Sequence, residues 1–164
     1  MIENDIYVAT EAMLVHFTDV DVNNILRAYP SQRVSLPNNN DYIIMTLLSA
    51  QRIDTPSASW TENDYMVSQD KRAIMQLDFF GTNADIRSNI ILDLSRSSVL
   101  CDFLEKYGIL PLYADDVSNN TGVSGEKQYV ERRTVQLHIN YQTDVTVEVD
   151  TFSAINLNIF ETEL

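Results

Sequence analysis

The sequence predicts an α+β fold: a mainly antiparallel β-sheet of about four to six strands with helices packed on one face. Three observations carry that reading. In the second half of the chain Val135, Leu137, Ile139 and Tyr141 alternate with Gln136, His138, Asn140 and Gln142, the two-residue period of a strand with one buried face. Near the start, and again between residues 84 and 107, apolar residues instead recur every three or four positions, as on amphipathic helices. The resulting order of helices, strands, helices, strands suits helices segregated to one face of an antiparallel sheet.

The first helix is marked by Asn4 or Asp5 as a cap and by Ile6, Ala9, Met13 and Phe17, with Leu14 beside them. Asp19 and Asp21 interrupt it. Val22, Ile25, Leu26 and Tyr29 form a second short apolar stripe, which Pro30 ends. After the turn-rich Ser35 to Asn40, the run from Tyr42 to Leu48 is almost continuously apolar and suits a central strand, covered on both faces or at its end. Ser49 to Lys71 is polar and too long for a plain connector, so a strand is expected at about Asp64 to Val67. A turn at Ser68-Gln69-Asp70 would pair it with Arg72 to Phe80. In that second arm Ala73, Met75, Leu77 and Phe79 form the core face, and Ile74, Gln76, Asp78 and Phe80 the other.

Gly81 ends the strand, and Thr82-Asn83-Ala84-Asp85 is a weak capping box for a helix from about Asn83 to Ser95 carrying Ile90, Ile91 and Leu94. Ser97 or Ser98 restarts a helix through Leu100, Phe103, Leu104 and Tyr107, with Gly108 at the left-handed cap position. Cys101 lies among these apolar residues and reads as a small buried side chain. The last organised stretch is Val130 to Val149. There Gln142-Thr143-Asp144 interrupts the alternation before Val145, Val147 and Val149, so the stretch is either one long strand with a bulge or two strands joined by a tight turn.

Composition bounds the function. The 164 residues fit one domain, 1–164, and 45% hydrophobic with 21% charged residues is ordinary for a globular chain. A net charge of −13 argues against a nucleic-acid reader or a partner of anionic membranes. The single cysteine excludes an internal disulfide. No secretion signal or transmembrane span is expected, so synthesis in the cytoplasm is. The segments 49–70 and 115–128 are expected as long interaction loops.

Several motifs occur in a telling order: Met75-Gln76-Leu77-Asp78-Phe79-Phe80-Gly81, then the helix pair, Gly108-Ile109-Leu110-Pro111-Leu112-Tyr113-Ala114-Asp115, a loop, Glu126 to Arg133, and the alternating strand. This arrangement, from about Tyr42 to Leu164, resembles the tail terminator (neck, or tail-completion) proteins of long-tailed phages and prophages. The resemblance implies a structural virion protein of the tail or neck with no catalytic residues and no cofactor. It would form a homo-oligomer, a hexameric ring that caps the tail tube, stops its polymerisation and offers a docking face to the head-tail connector protein. The tail tube protein and the connector are the implied partners, and genomic DNA would pass through the channel without specific binding; six copies carry about −78, six times −13, and an acidic channel does not hold a polyanion, the alternative being that the charge serves solubility alone. Another head-tail joining or tail-tube-like ring protein is the nearer alternative, since these share the plan.

Catalytic and metal motifs are absent from the sequence. Asp115, Asp116, Glu126 and Glu131 are the densest carboxylate group, yet as a calcium loop counted from Asp116 they put Thr121 where glycine is needed and Lys127 where glutamate is needed. A solvated loop is the plainer reading. His16 and His138 lie too far apart in the chain to suggest a ligand pair, and there is no phosphate loop, Cys-x-x-Cys or nucleophile elbow. A small acidic enzyme using Asp115, Asp116 and Glu131 with a metal is the alternative of a different class. It requires magnesium or manganese to raise the melting temperature by mass action. A flat response to both ions is the expected result.

The candidate subunit-interface residues are Trp60, Tyr65, Tyr113, Asp115, Asp116, Glu126, Tyr129, Glu131, Arg132 and Arg133. Aromatic residues on a polar segment are common interface anchors, although packing within their own hairpin is the commoner outcome. Arg132 and Arg133 are neighbours in a strand and point to opposite faces. One can pair across a subunit boundary, or within the chain with Asp78 or Glu148.

Overall fold

A computed structural model describes residues 3–28, 36–37, 41–60, 64–124 and 128–148. Helix α1, Glu3–Thr18, buries Ile6, Ala9, Met13 and Leu14 as its spacing requires. Asp19, at a φ of 53°, turns the chain out of the helix. The stripe that follows is not a helix throughout. A single 3-10 turn, Val22–Asn24, is capped by the Asp21 carboxylate, and Ile25–Arg27 is then strand β1. Its side chains find cover only beside β2, Tyr42–Arg52, with which β1 pairs in parallel; three residues of propensity do not outweigh that burial. Tyr29 and Pro30 lie outside the described residues.

Strands β3, Ser57–Trp60, and β4, Asp64–Phe80, come next. After them stand helices α2, Ala84–Leu94, and α3, Ser98–Glu105, then β5, Ile109–Ala114, β6, Ser118–Asn119, and the ribbon of β7, Gly122–Ser124, with β8, Gln128–Val130. The long β9, Arg132–Glu148, completes the described chain. The main sheet has seven strands in the order β1-β2-β4-β9-β5, with β3 beside β4 and β6 beside β9, and every pairing but the first is antiparallel. β1, β3 and β6 are four residues or shorter, and so carry no alternation to read.

Two expectations for the long strands are corrected by the register. Ser68-Gln69-Asp70 is not a turn: β4 runs through it without a break, and the three residues stand opposite Asp144, Thr143 and Gln142 of β9. The second interruption is likewise neither bulge nor turn, since the β4–β9 register is unbroken from Phe80–Arg132 to Asp64–Glu148. Two polar triplets that each look like a break face one another across one ladder and satisfy its backbone. Residues 49–70, expected as a loop, are therefore mostly strand, comprising the end of β2, all of β3 and the start of β4. Of residues 115–128, Ser118–Asn119 form β6, Gly122–Ser124 form β7 and Gln128 opens β8, while 125–127 lie outside the described residues.

Register also explains the core. Ile43, Phe79; Met45, Leu77, Val135; and Met75, Leu137 stand opposite one another in rows on one sheet face, and opposed residues share a face. All are essentially inaccessible and form one cluster with Ile6, Met13 and Leu14 of α1, Ile91 of α2, and Leu100 and Leu104 of α3. Ala73 joins the row of Ile139, so the predicted core face of β4 is the observed one. α2 begins one residue later than the capping box suggests, and Asn83 makes no side-chain cap bond. Ser97 does cap α3, accepting from the Leu100 amide at 3.3 Å, and Gly108 has a φ of 68°. Cys101 is half-buried rather than fully enclosed. β5 shifts register between Pro111 and Tyr113, where proline lacks the amide a regular ladder uses.

A second register shift, between Leu47 and Ser49 of β2, is supported from α1: the Leu47 amide donates to the Tyr7 hydroxyl at 3.0 Å. Tyr7 is 2% exposed. Tyr7→Phe leaves that amide without its acceptor and is expected to cost about 1–3 kcal/mol. Urea unfolding measures it, and a variant as stable as the parent would show that the bulge holds itself.

Candidate interaction surfaces

Beyond residue 71 the pattern of cover changes. The β2–β4 pairing ends at Arg52–Lys71 and the β5–β9 pairing at Ile109–Tyr141. The first seven residues of β4 and the last seven of β9 therefore continue past the body, with β3 on the free side of β4. This three-stranded arm carries Trp60 and Tyr65, directly opposite one another in the ladder with ring centroids 4.4 Å apart. The pair does pack within its own hairpin, yet Trp60 stays 71% exposed. Val145 and Val147 are also open to solvent, and among the described residues nothing pairs with the outer edge of β9 from Gln142 to Glu148. At the root of the arm Gln69 is buried and donates to the Asp54 carboxylate at 2.6 Å and to its carbonyl at 3.1 Å.

The remaining candidates cluster at the other end of the sheet. Arg132 and Arg133 diverge to opposite faces, as expected of strand neighbours, and both find partners within the chain. Arg132 grips Asp78 through Nε at 3.1 Å and through Nη2 at 3.0 Å, and its guanidinium lies over the Phe80 ring. Phe80 stacks in turn on Tyr42, whose hydroxyl pKa is raised by burial against a smaller lowering influence of Arg132. Arg133 pairs with Glu131 at 3.2 Å and with Asp85 of α2 at 3.5 Å. Glu148 is not a partner of either arginine, being at the far tip opposite Asp64.

Tyr113 stacks on His138 with centroids 4.2 Å apart, and His138 Nε2 stands 3.1 Å from an Asp115 carboxylate oxygen. Arg96 lies over the same Tyr113 ring. Asp115 is thus turned toward a histidine and Glu131 toward an arginine, while Asp116 is exposed. Among the described residues no group of three or more histidine, cysteine or acidic side chains is placed to hold a metal ion. Glu126 lies outside the described residues, and Tyr129 is described only by its backbone, opposite Val123 in the ribbon. Asn119, the first residue of a formal glycosylation sequon, accepts from the Thr121 amide and hydroxyl.

One surface escapes the sequence reading. Between α1 and α3 runs a cavity of about 480 Å³, lined by Val8, Ala12, Val15, Val22, Phe103 and Tyr107 with Glu11 and His16 beside them. His16 is stacked on Phe103 in an aromatic cluster that includes Phe17, which is a packing role. The available signal was Val8 and Val15, seven apart on a helix whose core stripe is already complete without them. Among the described residues no helix is long and apolar enough to cross a membrane.

No curated protein matches the chain. A solved structure matches at 14% identity over 87% of this chain and 97% of that one, with a TM-score of 0.41, a likeness too slight to argue from. The family model for phage neck terminator proteins matches residues 4–163, nearly the whole chain, with helices, long strands and arm inside the match. The chain belongs to the phage neck terminator protein family.

Proposed function

We propose that the protein is a tail terminator: copies close into a ring, a hexamer, that seats on the last layer of the tail tube, stops its polymerisation and presents a face to the head connector. The observation that carries this is membership of the neck terminator family over residues 4–163. The physical build agrees with it. A ring needs two different surfaces on each subunit joined head to tail, and a chain with open strand edges and exposed aromatic residues has surfaces to offer. The work is done by surfaces, without a catalytic step, and the acidity of the assembled ring lets DNA pass without adhering.

The interface candidates are read the same way. Trp60 and Tyr65 serve contact between subunits, while Tyr113, Asp115 and Asp116 are offered at the opposite end of the sheet. Arg132 and Arg133 contribute through the ion pairs that shape that end. The test has two parts. Mass measurement and negative-stain imaging of the purified chain, alone and with tail tubes, are expected to show a ring; deleting its gene is expected to give tails of unregulated length. A protein that stays monomeric on tubes, together with tails of normal length in the deletion, would overturn the proposal.

A further inference from the structure

The arm has two faces of opposite character, and the register assigns every residue to one of them. In one row Trp60, Tyr65 and Val147 are opposed, and in the next Ala58, Val67 and Val145. This face bears no charge. The rows between them belong to the other face, where Asp64 stands opposite Glu148 and Ser68 opposite Asp144, with Asp70 at the root. Four carboxylates therefore share one side of a ribbon whose other side is valine and aromatic. Exposure of Trp60 at 71%, Val145 at 58% and Val147 at 49% shows the apolar side uncovered among the described residues, and natural sheets seldom leave such a face to water.

We infer that the uncharged face of this arm seats in the α1–α3 groove of a second copy of this chain, with Trp60 as its anchor, and that repeating this contact closes the ring. The inference rests on the ring reading above and names its contact. Charge selects the occupant. Two copies each carrying −13 repel, so a contact through faces without charge costs least. Among the described residues the arm face is one such surface, and the groove floor of Val8, Val15, Val22 and Phe103, with Glu11 beside it, is another. Both are exposed in the one chain, so they do not cover each other in cis. A knob in one place and a hollow in another make a heterologous contact, the kind that builds rings.

Size decides how the contact is used. Seven residues of β4 and of β9 with the four of β3 give a face of about 300 Å² on one side. Burying that on both partners falls below the roughly 1,000 Å² that a lasting pair requires. A single arm in a single groove is then weak. Subunits hold together when each gives one arm and receives another, so assembly rises steeply with concentration. The acidic side of the arm faces away from the neighbour.

The test uses the full chain. In a Cys101→Ser background, which removes the only native cysteine, reduced Trp60→Cys protein and reduced Val15→Cys protein are treated with a thiol oxidant, each alone and as a mixture. A disulfide-linked dimer is expected from the mixture and from neither alone. Trp60→Glu is expected to raise the concentration of half-assembly at least about tenfold, while the monomer loses only its Trp60–Tyr65 ring contact, at most roughly 6 °C in melting temperature. If wild-type rings form but the mixed cysteines fail to link and Trp60→Glu assembles normally, the arm contact is wrong and the ring reading survives. If monomeric Trp60→Glu melts lower by more than roughly 6 °C, beyond what the ring contact explains, the face is covered from within its own chain and the inference falls. If the wild type never assembles, alone or on tubes, both fall together.

Discussion

Arg132→Met is expected to destabilise the protein by about 3 kcal/mol, and by clearly more than Asp78→Asn, although the two residues form one ion pair. The asymmetry comes from burial. The Asp78 side chain is 6% exposed and that of Arg132 is 39%. Removing the arginine leaves a carboxylate out of water with neutral donors only, the Thr134 hydroxyl at 2.6 Å and the Gln76 amide at 2.8 Å. Breaking a buried pair from the exposed side costs about 3–5 kcal/mol, and the two remaining hydrogen bonds place this case at the lower end. Asp78→Asn leaves the charge on the partner that already reaches solvent and keeps an acceptor for Thr134, so about 1–2 kcal/mol is expected. Denaturant midpoints of the two variants and of the pair combined give the comparison. Equal losses would mean that Asp78 is hydrated in solution.

Phe79→Ala is expected to cost about 3–5 kcal/mol, lowering the melting temperature by roughly 10 °C or more for a chain of this size. Phe79 is fully buried on the face that carries Met75 and Leu77, where β4 passes between β2 and β9. The cavity left there is bounded by paired strands on both sides, which cannot move in to fill it. Val147→Ala is the contrasting change on the same strand pair. Half its surface is already in water, so monomer stability should stay within about 0.5 kcal/mol, while assembly should weaken. Calorimetry and sedimentation of the two variants separate folding from association. A Val147→Ala protein that unfolds as readily as Phe79→Ala would show the arm to be part of the folding core.

The acidic-enzyme alternative gains no arrangement from the fold. Asp115, Asp116 and Glu131 lie close in sequence, but Asp115 is engaged by His138 and Glu131 by Arg133, while Asp116 points to solvent. Neighbourhood along a chain that turns from β5 through β6 to β9 does not bring carboxylates to one point. The two arginines show the reverse case, adjacent in sequence yet serving ion pairs on opposite sides of a sheet.

What the sequence determined by itself was everything set by local period and punctuation. The i, i+3, i+4 spacing in α1, the alternation of Ala73 to Phe79 and of Val135 to Tyr141, a serine cap at 97 or 98, which the structure places at Ser97, and the left-handed Gly108 each depend on residues within a few positions of one another, and each is present in the structure. The family resemblance drew on the same local motifs and their order. Only the tertiary structure decided what depends on a partner strand: that Ile25–Arg27 is an edge strand, that two polar triplets are one continuous ladder, and that the alternation of β9 runs on past its cover into an exposed face. The reason is physical. A backbone group is satisfied, and an apolar side chain buried, by whatever lies opposite it, and in a sheet that residue stands some seventy positions away, as Gln69 does from Thr143.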